Sequence, residues 1–263
     1  MTYTDHDAPN LKLGKKLGVV HDRRTLAVKA ILPPKLPTVP RLHDIAHTQT
    51  TFPVFKNNDI GDCGVASFGH ETVGLERSSQ QREIQLTDDD IVRAYSAISG
   101  YNPETGENDN GIYLLDGANY FRKVGVGRQK NGQAHKILGF AAVDPKDHDE
   151  VRLASYLFGG LYIGAGLPNA AAQQIGRSVW DLTGDARLDR FGSWGGHAMW
   201  TPAYDKNGGQ VVTWGQRQRY TWRWWDTYVD EAYAFVNPDY LRTSGKTPQG
   251  YAIDQLQQFL STL

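Results

Sequence analysis

Cys63 is the sole cysteine of this 263-residue chain. A lone cysteine is more often a small buried apolar residue than a reagent. Here, however, it follows the polar turn Asn57-Asn58-Asp59-Ile60-Gly61-Asp62 and opens a run with helical spacing, Cys63 to Leu75. A thiol at a helix N-terminus feels the positive end of the peptide dipoles, which favours the thiolate, the form that attacks a carbonyl. Such a nucleophile needs a base, and the chain offers eight histidines. His70 lies two helical turns on, about 10 Å away and too far for contact. His6 and His21 belong to the N-terminal stretch, and His135 and His148 sit at the edges of predicted elements. His197 stands where the pair Gly195-Gly196 enters the strand-like run His-Ala-Met-Trp. The residue types point to acyl transfer through Cys63 and His197. One cysteine closes no internal disulfide and builds no thiolate zinc cage, and no metal or cofactor is expected.

The elements that must position this pair follow from periodicity. Val65, Phe68, Thr72 and Leu75 form a helical stripe after Cys63, and Gly64, Gly69 and Gly74 within it imply close packing, since each glycine costs about 1 kcal/mol in a helix. Thr87 followed by Asp88, Asp89 and Asp90 starts a second helix with apolar face Ile91, Ala94, Tyr95 and Ile98. A third is expected over 112–123, with Gly125 as its cap. Strands are expected at HKILGFAAV and LYIGAGL, with a D-x-x-E helix start at Asp147 and Glu150 between them. A long loop, 168–196, precedes a hairpin of AMWTPAY and QVVTWG about the turn KNGG. Ile253, Leu256, Leu260 and Leu263 suit a short C-terminal helix. The order is a helical half followed by a β half.

Residues 1–50 differ from the body, 51–263. They carry Lys12, Lys15, Lys16, Arg23, Arg24, Lys29 and Lys35, then Pro33, Pro34, Pro37 and Pro40, a composition that favours an extended arm. The net charge of −1 gives no global reason to expect nucleic acid or an anionic membrane as a partner. The start has no apolar signal core and no run of 18 apolar residues exists, so a cytoplasmic location is expected. Four of the seven tryptophans fall between Trp214 and Trp225, which suits a thick core or a peptide or sugar cleft. Three patterns are decoys. His43-Asp44-Ile45-Ala46-His47 mimics a zinc helix but has Asp where Glu is needed; Ser244-Gly245-Lys246-Thr247 lacks the first glycine of a phosphate loop; Arg217, Arg219 and Arg223 read as a solvated loop over aromatics.

The segment NNDIGDCGVASFGHETVGLE resembles the stretch around the nucleophile in papain-like cysteine peptidases, and GGHAMW resembles their base strand. DNGIYLLDGANYFRKVGV resembles their third helix and TWG their Asn-Ser-Trp-Gly, and the spacing of 134 residues from Cys63 to His197 suits the family. The resemblance runs in order from about Phe52 to Val236. It implies an α+β, two-lobe fold: a helical lobe with a central Cys-bearing helix and an antiparallel β lobe. It also implies Asn57 as oxyanion donor in place of a Gln, Trp214 as shield over His197, and Asn110, Gly111, Gly195 and Gly196 as substrate walls. The residue that orients the base would be Val212, which accepts no hydrogen bond, or, with the register slipped by one, Thr213. The N-terminal run LGKK…HDRRTLAVKAILPPKLPTVP is similar to the leader of uncharacterised actinobacterial and phage members.

The reading that follows is a thiol protease, a hydrolase that cleaves peptide or amide bonds of a peptide or protein substrate with Cys63 and His197. A rival from another class is a papain-fold structural or interaction protein with weak or no turnover, such as a phage virion component docked on an assembly partner through its arm; Val212 and Asn57 motivate it. A third reading is a peptidoglycan amidase using the same pair.

Overall fold

The computed structural model describes residues 10–30, 37–81, 84, 86–129, 131–242 and 244–252. The expected C-terminal helix lies almost wholly outside the described residues.

Helix α1, Cys63–Leu75, is buried along its whole length, which explains its glycines. A Cβ at Gly64 would stand 2.7 Å from Ile112 Cδ1, at Gly69 2.8 Å from Phe55 and at Gly74 2.3 Å from Trp200. Helix α2, Asp88–Ser99, begins as the sequence predicts: Thr87 and Asp90 form a reciprocal capping box and Gly100 closes the helix in the left-handed conformation. Helix α3 spans Leu114–Lys123, two residues later than expected, and Gly125 takes the left-handed position just beyond it. α4 spans His148–Phe158. Asp147 caps it, but Glu150 does not bond back to the cap; it accepts from the Asp144 amide instead.

The β half is one mostly antiparallel sheet. Its strands are β1 (Leu26–Ala27), β2 (His43–Asp44), β3 (Gly139–Val143), β4 (Leu161–Leu167), β5 (Gly195–Tyr204), β6 (Gly208–Thr213), β7 (Gln216–Thr221) and β8 (Val229–Val236). They lie in the order β1-β3-β8-β4-β5-β6-β7, with β2 beside the far end of β5 and β1 parallel to β3. The expected hairpin is β5–β6. The expected 168–196 loop contains a short helix, α5 (Asn169–Gln174), and the arginine cluster lies on regular elements rather than a loop, with Arg219 and Arg223 exposed as expected. Arg217 and Arg219 lie on β7, where Arg217 is half-buried and bonds Asp44 at 2.6 Å, and Arg223 lies on α6, Trp222–Tyr228. The His43–His47 stretch is a short strand and turn rather than a zinc helix.

Two apolar cores flank the sheet. One gathers α1, α2 and α3 around Phe68, Phe121, Tyr162 and Trp200; the other gathers α4 and α6 around Ile163, Met199, Trp224 and Trp225. The tryptophan cluster is therefore mostly core: Trp180 stacks on Trp224 at 5.0 Å. The arm is pinned to the body through β1, β2 and buried Leu11 and Val28. Among the described residues no helix is long and apolar enough to cross a membrane.

Gly74→Ala sets two effects against each other. Removing a helix glycine gains about 1 kcal/mol, whereas forcing a methyl into the rigid, fully buried Trp200 ring costs about 1–3 kcal/mol. The expected outcome is a lower urea midpoint with unchanged slope; a raised midpoint would show that the α1–β5 contact is slack.

Candidate active site between helix α1 and strand β5

Cys63 is the first residue of α1, and the Ala198 amide, next to His197 on β5, donates to its Sγ at 3.3 Å. One hydrogen bond thus ties the head of the helix to the strand that carries the histidine. The His197 ring is fully buried and stacks on Trp214, centroids 4.2 Å apart and 16° between planes. Trp214 reaches it because the chain turns sharply after β6: Trp214 has φ +46° and Gly215 +74°. A left-handed tryptophan is a strained residue. His197 Nε2 lies 2.6 Å from Thr213 Oγ1. Successive strand residues face opposite sides, so Thr213 faces the histidine and Val212 enters the helical-side core. Of the two registers open to the sequence, the pairing selects Thr213. His197 Nδ1 is buried without a hydrogen-bond partner among the described residues.

Asn57 is buried, and its side-chain amide faces the buried Asp62 carboxyl. The turn before it holds two consecutive left-handed residues, Phe55 (φ 60°) and Lys56 (φ 65°). His70 belongs to the packing of this turn: its Nε2 lies 2.8 Å from Pro53 O, between the rings of Phe52 and Phe55.

The residues 11–16, which the sequence marks only as part of a basic arm, run through the cleft as a strap. The Lys12 amide donates to Asn58 O, and the Trp214 indole donates to Lys12 O at 3.2 Å. The Ile112 amide donates to Gly14 O at 2.8 Å, and the Lys16 amide to Ile112 O at 3.0 Å. On the opposite wall the Lys15 amide donates to Gly196 O at 3.0 Å. The strap is thus a short strand held from both lobes. Gly111, Gly195 and Gly196 lie against it: their Cβ atoms would stand 1.9 Å from Gly14 O, 2.8 Å from Leu13 Cδ1 and 2.1 Å from Lys15 O. Asn110, expected as a wall with Gly111, is exposed and its amide donates to Asn108 O; the residue that pairs with the strap is Ile112.

The strap reverses the expected electrostatics. The helix end favours a thiolate by about 1 kcal/mol at most exposed sites. Burial pushes the Cys63 thiol up to about 12, against the backbone amides of Ala198 and Gly14, which oppose the rise. A rise from 9.0 to that value is worth about 4 kcal/mol and wins. Burial, with His70 adding a little, lowers His197 to about 3. Thiol and imidazole are both neutral in this closed form. Burial also pushes the Asp62 carboxyl well above the carboxylate range. By linkage, a histidine whose value is depressed stabilises the fold above its unfolded value of about 6.5, and that contribution is lost as pH falls towards 3.

At the other end of α1, Glu76, His135 and Asp239 bring ligand atoms within 4.8 Å of one another. Asp239 holds His135 Nδ1 at 2.9 Å, which ties the turn after β8 to the loop after α3. Among the described residues this is the one group of three or more such side chains close enough to share a metal ion, and it lies outside the cleft.

Sequence comparison finds no matching family model and no matching curated protein. Comparison of structures does. Xylellain, a cysteine protease from Xylella fastidiosa, superposes with a TM-score of 0.62 at 14% identity over 87% of this chain and 97% of that one. A digestive procathepsin L of Tenebrio molitor larval midgut gives 0.58 at 11% identity, covering 88% and 78%. A Carica candamarcensis cysteine protease in complex with E-64 gives 0.51 at 13% identity, covering 76% and 99%. The chain has the two-lobe, α+β fold of the papain-like cysteine peptidases.

The closed cleft makes a direct prediction. Alkylation of Cys63 by iodoacetamide in the native chain stays slow through pH 9, where a free thiol of pKa about 8.5 is mostly ionised. Fast labelling at pH 7, matched to a free-thiol control, would show that the strap does not cover the sulfur.

Proposed function

We propose that the chain is a latent cysteine peptidase that hydrolyses peptide or amide bonds through Cys63 and His197. The observation that carries this reading is the state of His197: ring stacked on Trp214, Nε2 held by Thr213, and Nδ1 without a partner, on the strand that bonds Cys63 Sγ. With Nε2–H donating to the Thr213 hydroxyl, Nδ1 carries the lone pair. Once the strap leaves and water enters, the desolvation that keeps both groups neutral is relieved. His197 then takes the thiol proton, and the thiolate, favoured by the α1 dipole, attacks the carbonyl carbon. The oxyanion is received by the Cys63 backbone N–H and the Asn57 Nδ2. His197 returns its proton to the leaving amine, and water, deprotonated by His197, hydrolyses the thioester. No step calls for a metal or cofactor.

Thr213 is a positioning residue in this scheme. A hydroxyl orients the imidazole with a weaker dipole than an amide, so turnover is expected to be modest rather than absent.

The test is release of new amines from capped peptides and from an unfolded protein. The wild type is assayed beside Lys15→Glu, whose charge reversal loosens the strap. Cleavage is expected in Lys15→Glu and lost with Cys63→Ala or His197→Ala in that background. Asn57→Ala is expected to lower kcat about 100- to 1,000-fold. Thr213→Val is expected to lower kcat and move the acid limb of the pH profile, with Thr213→Ser restoring both. Amine release that survives Cys63→Ala would sink the reading. Release from purified peptidoglycan but from no protein would replace the peptidase with a cell-wall amidase.

A further inference from the structure

The Lys15 side chain has no exposed surface, although lysine is rarely buried whole. Its Nζ lies 3.0 Å from Asp230 Oδ2 and 3.1 Å from Glu231 Oε1, and also bonds Lys16 O at 3.4 Å. Asp230 and Glu231 are consecutive on β8, and consecutive strand residues ordinarily face opposite ways. Here the pairing of β4 with β8 passes from Gly164↔Glu231 to Ala165↔Val229, which leaves Asp230 as the extra residue of a β-bulge. A bulge re-aims a side chain, and both carboxylates reach one ammonium. The stem of the lysine needs room as well. Gly164 supplies it: a Cβ there would stand 2.2 Å from Lys15 Cε and 2.9 Å from Glu231 Cγ. Tyr233 OH donates to the second Glu231 oxygen, which fixes that carboxylate in place.

Two carboxylates face one ammonium in this pocket, Glu231 buried and Asp230 reaching partly to solvent. Without a cation, the buried Glu231 carboxylate would be left uncompensated beside a second acid. The pocket therefore demands a basic occupant. Its position is also specific. Lys15 is bonded through its backbone to Gly196, the neighbour of His197, and follows Gly14, whose backbone amide acts on the Cys63 sulfur. The Gly14 carbonyl is committed to the Ile112 amide, so the strap occupies the cleft without presenting that carbonyl to the thiol.

We propose that Asp230 and Glu231, with Gly164 as the gap beside them, form a subsite for a basic side chain: Lys15 fills it in the closed chain, and a Lys or Arg of a peptide substrate fills it once the strap is out. The substrate half of this proposal rests on the peptidase reading; the closure half does not.

The experiment uses the full chain and reads Cys63 alkylation, which requires no turnover. Lys15→Glu is expected to label about 10- to 100-fold faster than wild type at pH 8 with an unchanged circular dichroism spectrum, and the double variant Lys15→Glu/Glu231→Lys to label slowly again. Capped peptides Leu-Gly-X-Lys are then added to the Lys15→Glu chain, with X as Lys, Arg or norleucine. The Lys and Arg peptides are expected to protect Cys63 at about tenfold lower concentration than norleucine, a preference erased by a further Glu231→Gln. Should Lys15→Glu fail to fold, Lys15→Met, neutral and of similar length, takes its place in both measurements. Labelling as slow as wild type in the Lys15 variant, or protection that is absent or equal for all three peptides, overturns the proposal. A basic preference in a chain that cleaves nothing leaves the subsite standing and removes the peptidase.

Discussion

The contact between α1 and β5 is the constraint on which the rest of the molecule depends. A helix buried on every side can lie this close to a sheet only if some of its positions carry no side chain. Gly74 meets Trp200 of β5 at a distance a methyl group cannot occupy, and Gly64 sits against the Tyr162 hydroxyl of β4 and against Ile112, which precedes α3. That approach places the first turn of α1 against Ala198, and the Ala198–Cys63 bond then fixes where the sulfur stands relative to the histidine strand. Helix and strand come from segments far apart in the chain, so the site exists only once both cores have formed.

Dehydration is the second theme. Cys63 and His197 are both fully buried, and burial opposes the charged form of each. The strap contributes few apolar contacts beyond Leu11 and Leu13; it is held mainly by backbone pairing to both lobes and by the buried Lys15. These are interactions whose strength depends on excluding water, so once one is broken the others weaken with it. The cleft is thus sealed by backbone hydrogen bonds, by the two ion pairs of Lys15 and by Leu11 and Leu13 against the α4–α6 core.

Strain collects around the same cleft. Phe55, Lys56 and Trp214 are three of the five non-glycine residues with positive φ among the described residues, and they present Asn57 and cover His197. The β-bulge at Asp230 lies on the strand two places from β5 in the sheet. Each departure from regular backbone turns a side chain towards the cleft that a regular strand or turn would direct elsewhere.

How much of this was legible beforehand follows from the range of each interaction. The sequence by itself determined α1, the capped start of α2, α4 and the β5–β6 hairpin, because periodicity, capping and turn chemistry act over a few residues, and it singled out Cys63 and His197 because reactive residue types are few. It left Val212 and Thr213 open as orienters, since only strand pairing decides which of two neighbours faces the histidine. It read Arg217 as solvated, although it bonds Asp44 across the sheet. It expected a thiolate from the helix end, and burial of the sulfur opposes that charge. Lys15, Asp230 and Glu231 carried no local signal at all: a lysine in a basic run looks exposed, and two acids in a row look divided between two faces. Only the tertiary structure, through the bulge and the gap at Gly164, brings them to one point, because burial and charge pairing are set by what the rest of the chain packs around a residue and not by its neighbours in sequence.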